Sequence, residues 1–274
     1  DFASHSISNI ETVELGVDTN NLTAYNVKDL GDTVTVAVKA TTTDKDVTIT
    51  NLANGNTVKV TNDSAGTLEL GNVVTNLEVG TGLTDAMNVK LVAKTDADQL
   101  LDLFTVDAAA ESVTIDNSGA TGTGKEFTLT SLIADGAKTI TFTGAGNFIT
   151  TLDQTGTNVT TSVDASGATG TFGFTEAVTN DVTIKGSAGQ NTIAMGTTLT
   201  NADTIIGGAS AKDTVSATVG TVNTATTGAF NISAVATLAL TLTDGQTATV
   251  DLSSTTGITN TTLASASYGL DFKG

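Results

Sequence analysis

The feature that most limits what this chain can become is a short apolar–polar–apolar triplet that recurs along its whole length. Val47-Thr48-Ile49, Val58-Lys59-Val60, Val113-Thr114-Ile115, Phe127-Thr128-Leu129, Ile140-Thr141-Phe142, Phe172-Gly173-Phe174 and Val182-Thr183-Ile184 are examples. In an extended backbone successive side chains point to opposite faces, so each triplet offers two apolar groups to one side and a small or polar one to the other. Gly, Asn, Asp and Ser cluster between the triplets and supply turns. The pattern predicts an all-β fold of many short strands.

Short strands at such spacing suit either an antiparallel sandwich or a stacked parallel coil. Internal repetition favours the coil. Ile115-Asp-Asn-Ser-Gly-Ala-Thr-Gly122 returns 48 residues later as Val163-Asp-Ala-Ser-Gly-Ala-Thr-Gly170, an offset that fits two coils of about 24 residues. Ile7–Leu15 returns as Ile232–Leu240, with a partial copy at Val74–Val79. Whole turn-plus-strand units repeat when each coil buries its inner residues against the next. The expectation is a parallel β-solenoid, β-helix-like or β-roll-like. Helical spacing in Thr95–Phe104, with Asp96 or Asp98 near an N-cap and Leu100, Leu101 and Phe104 on one face, predicts a short helix between two solenoid segments. A weaker helical pattern lies in Leu263–Leu270. The domain reading is an N-terminal solenoid over 1–104, a central solenoid over 105–219 and a C-terminal β segment over 220–274, with 220–230 as a loop or boundary.

Composition removes many functions. The 274 residues include 29 acidic and 11 basic groups, a formal charge of −18, with no Cys, Pro or Trp and one His, His5. Every basic residue is Lys. Without Cys there is no thiolate nucleophile, disulfide or Cys-ligated zinc. With one His near the first residue, a Ser-His-Asp triad has little to draw on. Without Arg there is no bidentate fork for phosphate. The charge disfavours nucleic acid and anionic membrane and favours divalent cations. No apolar run is long enough to span a bilayer, so membrane insertion is not expected. Clustered acids at Asp96, Asp98 and Asp102 fit a solvated surface better than a glycosidase pair. A carbohydrate-active β-helix is poorly supported, because aromatic platforms and Arg are missing. The chain is read as not an enzyme. Its opening, "DFASHSISN", has no signal-peptide pattern and reads as part of a longer protein.

The stretch "IKGSAGQNTIAMGTTLTNADTIIGGASAKDTVSATV", together with "ISNIETVEL" and "VDASGATG", resembles bacterial S-layer proteins of the Caulobacter and Campylobacter type, which are related to the RTX exoproteins. The resemblance implies an exported structural protein that tiles the bacterial cell surface as a self-assembled, calcium-dependent two-dimensional lattice. Another part of the full protein would attach to lipopolysaccharide. An RTX-like adhesin with this region as stalk is the alternative. RTX turns present glycines and aspartates to calcium between coils. Here Gly186, Gly189, Asn191, Asp203, Gly208 and Asp213 occupy the corresponding places, with Asn191 where the pattern has Asp and an extra residue before Asp213. Calcium takes six to eight hard oxygens, which stacked turns can supply. Ordinary solenoid turns, with Gly for backbone freedom and Asx side chains bonded to the backbone, explain the same residues. The turns at Asp116 and Asp164 are lesser calcium candidates that an Asx-turn explains equally well.

Overall fold

The computed structural model describes the chain apart from residues 1–9, 18–23, 29, 31–33, 41–45, 63–68, 79–83, 94–98, 119–125, 155–159, 178, 220–228, 243–247, 265–269 and 274. The described residues form strands and turns, with no helix. Ten strands make the first sheet, in order Thr12–Val17, Thr35–Ala40, Thr57–Asn62, Ala86–Ala93, Ser112–Asp116, Thr139–Gly144, Ser162–Ala168, Thr183–Lys185, Thr204–Ile206 and Asn231–Ser233. Eleven make the second: Ala24–Asn26, Val47–Leu52, Glu69–Leu77, Gln99–Thr105, Glu126–Ile133, Asn147–Leu152, Phe172–Glu176, Asn191–Ala194, Thr214–Val219, Thr237–Leu242 and Asn260–Ala264. Ala248–Asp251 and Leu270–Lys273 form a third, two-stranded sheet. The chain alternates between the two large sheets, so each coil adds one strand to each. The paired strands run parallel, from Thr12↔Thr35 to Thr237↔Asn260. This is a parallel β-solenoid whose coils range from 19 residues (Phe172↔Asn191) to 31 (Thr57↔Asn88).

The triplets explain the core. Val58 and Val60, Val113 and Ile115, Ile140 and Phe142, and Phe172 and Phe174 are all buried, and the residue between each pair faces outward. Buried residues from Leu15 to Val250 join in one apolar cluster. At mid-length Phe142 of the first sheet meets Phe148 and Phe172 of the second, at 4.9 and 5.1 Å between ring centres, and Phe172 stacks on Phe174 at 5.7 Å. These rings tie the two sheets across the interior.

The 48-residue repeat does span two coils of one sheet. Its register, however, differs by two residues from the sequence alignment: Val163 pairs with Ile140, which pairs with Val113 and not Ile115. A shift of two keeps every side chain on its face, so packing tolerates it. The helix expected over Thr95–Phe104 is not formed in its described part, where Gln99–Thr105 is a strand; residues 95–98, with Asp96 and Asp98, lie outside the described residues. Leu101 and Phe104 are buried three residues apart because the neighbouring strand does the same: Leu129 pairs with Leu101 and Leu132 with Phe104. An irregularity shared between adjacent strands thus imitates helical spacing. Of Leu263–Leu270, the ends Leu263–Ala264 and Leu270 are strand.

Phe172→Ala is expected to lower stability by about 3–5 kcal/mol, measured by urea denaturation. A loss under about 1 kcal/mol would mean that the ring cluster does not hold the sheets together.

Candidate functional site

Five of the six residues singled out in the sequence, all but Asp203, meet at one corner of the solenoid. Asn191 opens the strand Asn191–Ala194 and is fully buried. It continues an inward column of Phe127, Phe148 and Phe172, so the aromatic ladder ends in an amide. Its Oδ1 accepts the Ser187 N–H at 2.7 Å and the Ser187 hydroxyl at 3.1 Å. Its Nδ2 donates to the carbonyls of Ser187 and Gly189, both at 3.0 Å. Asp213 occupies the equivalent place one coil on. Its Oδ1 accepts the Asn191 N–H at 2.8 Å and its Oδ2 the Gly208 N–H at 2.7 Å. Asp203 sits apart, beside the first sheet, and does not join this group. Its Oδ1 accepts the Val182 N–H at 2.9 Å, and its Oδ2 accepts the Thr200 N–H at 2.7 Å and hydroxyl at 3.2 Å.

The glycines are required here by close approach. A Cβ on Gly208 would lie 1.6 Å from the Ser187 carbonyl oxygen, one on Gly189 2.3 Å from that of Gly170, and one on Gly186 2.7 Å from Asn191 Oδ1. Adjacent coils touch backbone to backbone at these corners, and no side chain fits between them.

In this arrangement the oxygens of Asn191, Asp203 and Asp213 are bonded to backbone N–H groups. The carboxylate oxygens of Asp203 and Asp213 are 1% exposed or less at the residue level and accept amide hydrogens. The Asn191 amide occupies the carbonyls of Ser187 and Gly189, which a cation would otherwise draw on. N–H groups converge where calcium would need oxygens alone. Among the described residues no group of three or more His, Asp or Glu is placed to hold a metal ion. What the arrangement does accomplish is to satisfy backbone donors at corners, where the sheet ladders break and an unpaired buried amide would be costly.

The same device occurs at Asn56, whose Oδ1 accepts the Val34 N–H at 3.1 Å across 22 residues, and the sequence reading missed it. A signal was available. Asn56-Thr57-Val58, Asn191-Thr192-Ile193, Asp203-Thr204-Ile205 and Asp213-Thr214-Val215 share one pattern, an Asx residue just before a Thr-led strand. Asp85, before Ala86, is also buried and accepts from Asn54 Nδ2 at 2.9 Å. The Asp116 and Asp164 turns match each other: in both, the carboxylate accepts the N–H and hydroxyl of the serine two residues on. Asp164 also pairs with Lys185 at 3.0 Å.

The two aspartates respond to pH in opposite directions. Burial raises the Asp203 carboxyl, against the lowering effect of the Val182 and Thr200 amides and the Thr200 hydroxyl, and the charge of Asp181 raises it further. Burial also raises Asp164, but the Ser166 hydroxyl and amide and the Lys185 ammonium outweigh it and leave the group lowered. A raised carboxyl binds its proton more tightly when folded. Its contribution is therefore fullest below the usual carboxylate value and declines as pH rises through the folded one; a lowered carboxyl contributes above the usual value and loses this as pH falls. In denaturation series from about pH 3 to about pH 6, the stability lost by Asp203→Ala should shrink as pH rises and that lost by Asp164→Ala should grow. Parallel trends would contradict the assignment.

Asn191→Asp would set a carboxylate against two carbonyl oxygens. It should cost about 3–5 kcal/mol, as an unpaired buried charge does, and millimolar calcium should restore part of this by supplying the missing positive charge. A neutral effect in urea denaturation would show that the amide is not the lock described.

The chain matches no protein-family model, no curated protein and no solved structure.

Proposed function

We propose that this chain is a structural segment of a bacterial cell-surface layer that assembles with copies of itself, and that it is not an enzyme. The observation that carries the proposal is the stack itself. Two parallel sheets of ten and eleven strands repeat one unit along an axis and face outward largely through Thr and Ser. The buried Asx groups serve the corners, which leaves repetition and surface as what the molecule offers. Such a body has flat sides and strand edges that suit non-closing contacts between copies.

Calcium then has a role between molecules. With 29 acidic and 11 basic residues, copies repel one another until divalent cations neutralise and bridge exposed carboxylates. This supports an extracellular place, where calcium is plentiful, and leaves attachment to lipopolysaccharide to another part of a full protein. An elongated stack equally suits the stalk of an RTX-like adhesin.

Purified protein with millimolar calcium should form ordered sheets under the electron microscope, and excess EDTA should disperse them. Sheets that persist in EDTA would remove calcium from the proposal. Protein that stays as separate elongated particles would favour the stalk.

A further inference from the structure

We infer that the outer face of the second sheet, centred on Ile149 and Gly173, is a surface through which two copies of this chain meet. The inference rests on the self-assembly proposed above and names its contact.

Register aligns one outward column as Thr128, Ile149, Gly173, Thr192, Thr214 and Thr237. The neighbouring column holds Thr151, Thr175, Ala194, Ser216 and Ala239. From Asn147–Leu152 to Thr237–Leu242 no strand of this sheet turns a charged side chain outward; Glu176 is buried. In a chain of charge −18 that is a conspicuous neutral area. The first sheet's outer face, by contrast, carries the ion pairs Lys39–Glu14, Lys90–Asp116 and Lys185–Asp164. Two acidic copies meet at less electrostatic cost where charge is sparse; the contact described below adds to these neutral strands only Glu126 and Asp102, from the adjoining strands Glu126–Ile133 and Gln99–Thr105. A flat, Pro-free, uncharged β surface is also the kind that packs closely against another sheet.

An exposed side chain stands beside a low floor on this face. Ile149 is 40% exposed. Gly173, its neighbour in register, helps form a surface notch of about 310 Å³. Knob and notch lie one strand spacing apart, about 4.8 Å. A two-fold axis in the contact plane, parallel to the strands and midway between these two, exchanges them. Ile149 already leans over its own Gly173, its Cγ1 3.0 Å from where a Cβ there would lie, so the two Ile149 side chains meet side by side between the two Gly173 backbones. The same rotation sets Thr128 of one copy over Thr192 of the other. It also sets Glu126 opposite Gln190, whose amide can donate to the carboxylate; both residues border the notch. Six strands by about five residues give on the order of 400 Å² per copy, below the roughly 800 Å² of a stable pair. The contact is weak alone and takes effect in a lattice with many neighbours.

The chain has no cysteine, so introduced thiols are unambiguous. Chains carrying Thr128→Cys and Thr192→Cys are mixed under assembling conditions with calcium and treated with a short bis-maleimide. In the mixture the thiols face each other across one sheet-to-sheet gap, about 10 Å, whereas in either chain alone they are offset by three further strand spacings, about 14 Å. A mixture of Thr139→Cys and Thr183→Cys, on the other sheet, is the control. The inference expects covalent dimers in the first mixture, few from either chain alone or from the control, and loss of ordered sheets in Ile149→Asp. Sheets that form without the selective cross-link would overturn this contact and leave self-assembly standing. Neither sheets nor cross-link would overturn both. The cross-link without sheets would keep the contact and remove the lattice.

Discussion

Everything in this molecule depends on a coil finding its neighbour in register. A single coil has only a few inward side chains, and on its own they would remain wet. Laid on the next coil, Val58 lies against Val36 and Val89, and Ile140 against Val113 and Val163. Each backbone also gains a parallel ladder. Both gains come from adjacent coils alone, so stability accumulates rung by rung along the axis. A slip of one residue would turn the apolar set outward, whereas a slip of two preserves it. The offset between the two near-identical segments at Ile115 and Val163 is of the permitted kind.

Stacking creates a difficulty at the corners. The ladders stop there, yet adjacent coils stay so close that Gly208 has no room for a Cβ beside Ser187. Amides enclosed in such places need acceptors. Asn56, Asn191, Asp203 and Asp213 supply them, each reaching across to the amide of another coil or its own turn. Glycines for approach and Asx for acceptors make a turn that, written as a sequence, is hard to tell from one built for calcium. The two differ in what fills the gap between coils, an amide in one case and a cation in the other. At Asn191 the donor end of the side chain lies on two carbonyls, those of Ser187 and Gly189.

The same closeness directs attention to the outside. Inward positions are constrained by packing, but an outward position on a strand needs only to suit extended backbone and water, and Thr does both. Where outward positions also lack charge over several consecutive coils, in a strongly acidic chain, the solvent requirement alone no longer accounts for them. The neutral face around Ile149 is such a place, and its glycine notch gives it shape as well as neutrality.

Period-two triplets and repeated turn units determined the all-β class, the parallel stack and which side chains lie inside, because those depend on local alternation and on repetition, both of which are written in the chain. The resemblance to RTX turns marked Asn191, Asp203 and Asp213 as special, and the Asx-plus-Thr pattern they share with Asn56 was also in the chain. Their roles could not be read from it, since an oxygen that accepts an amide and one that binds a cation have the same residue name. Likewise Leu101 and Phe104 carried helical spacing until Leu129 and Leu132 supplied a neighbouring strand with the same irregularity. Strand rather than helix at that point, and the hydrogen bonds that Asn191 makes, were decided only in the tertiary structure, because each turns on which atoms come to lie a few ångströms away.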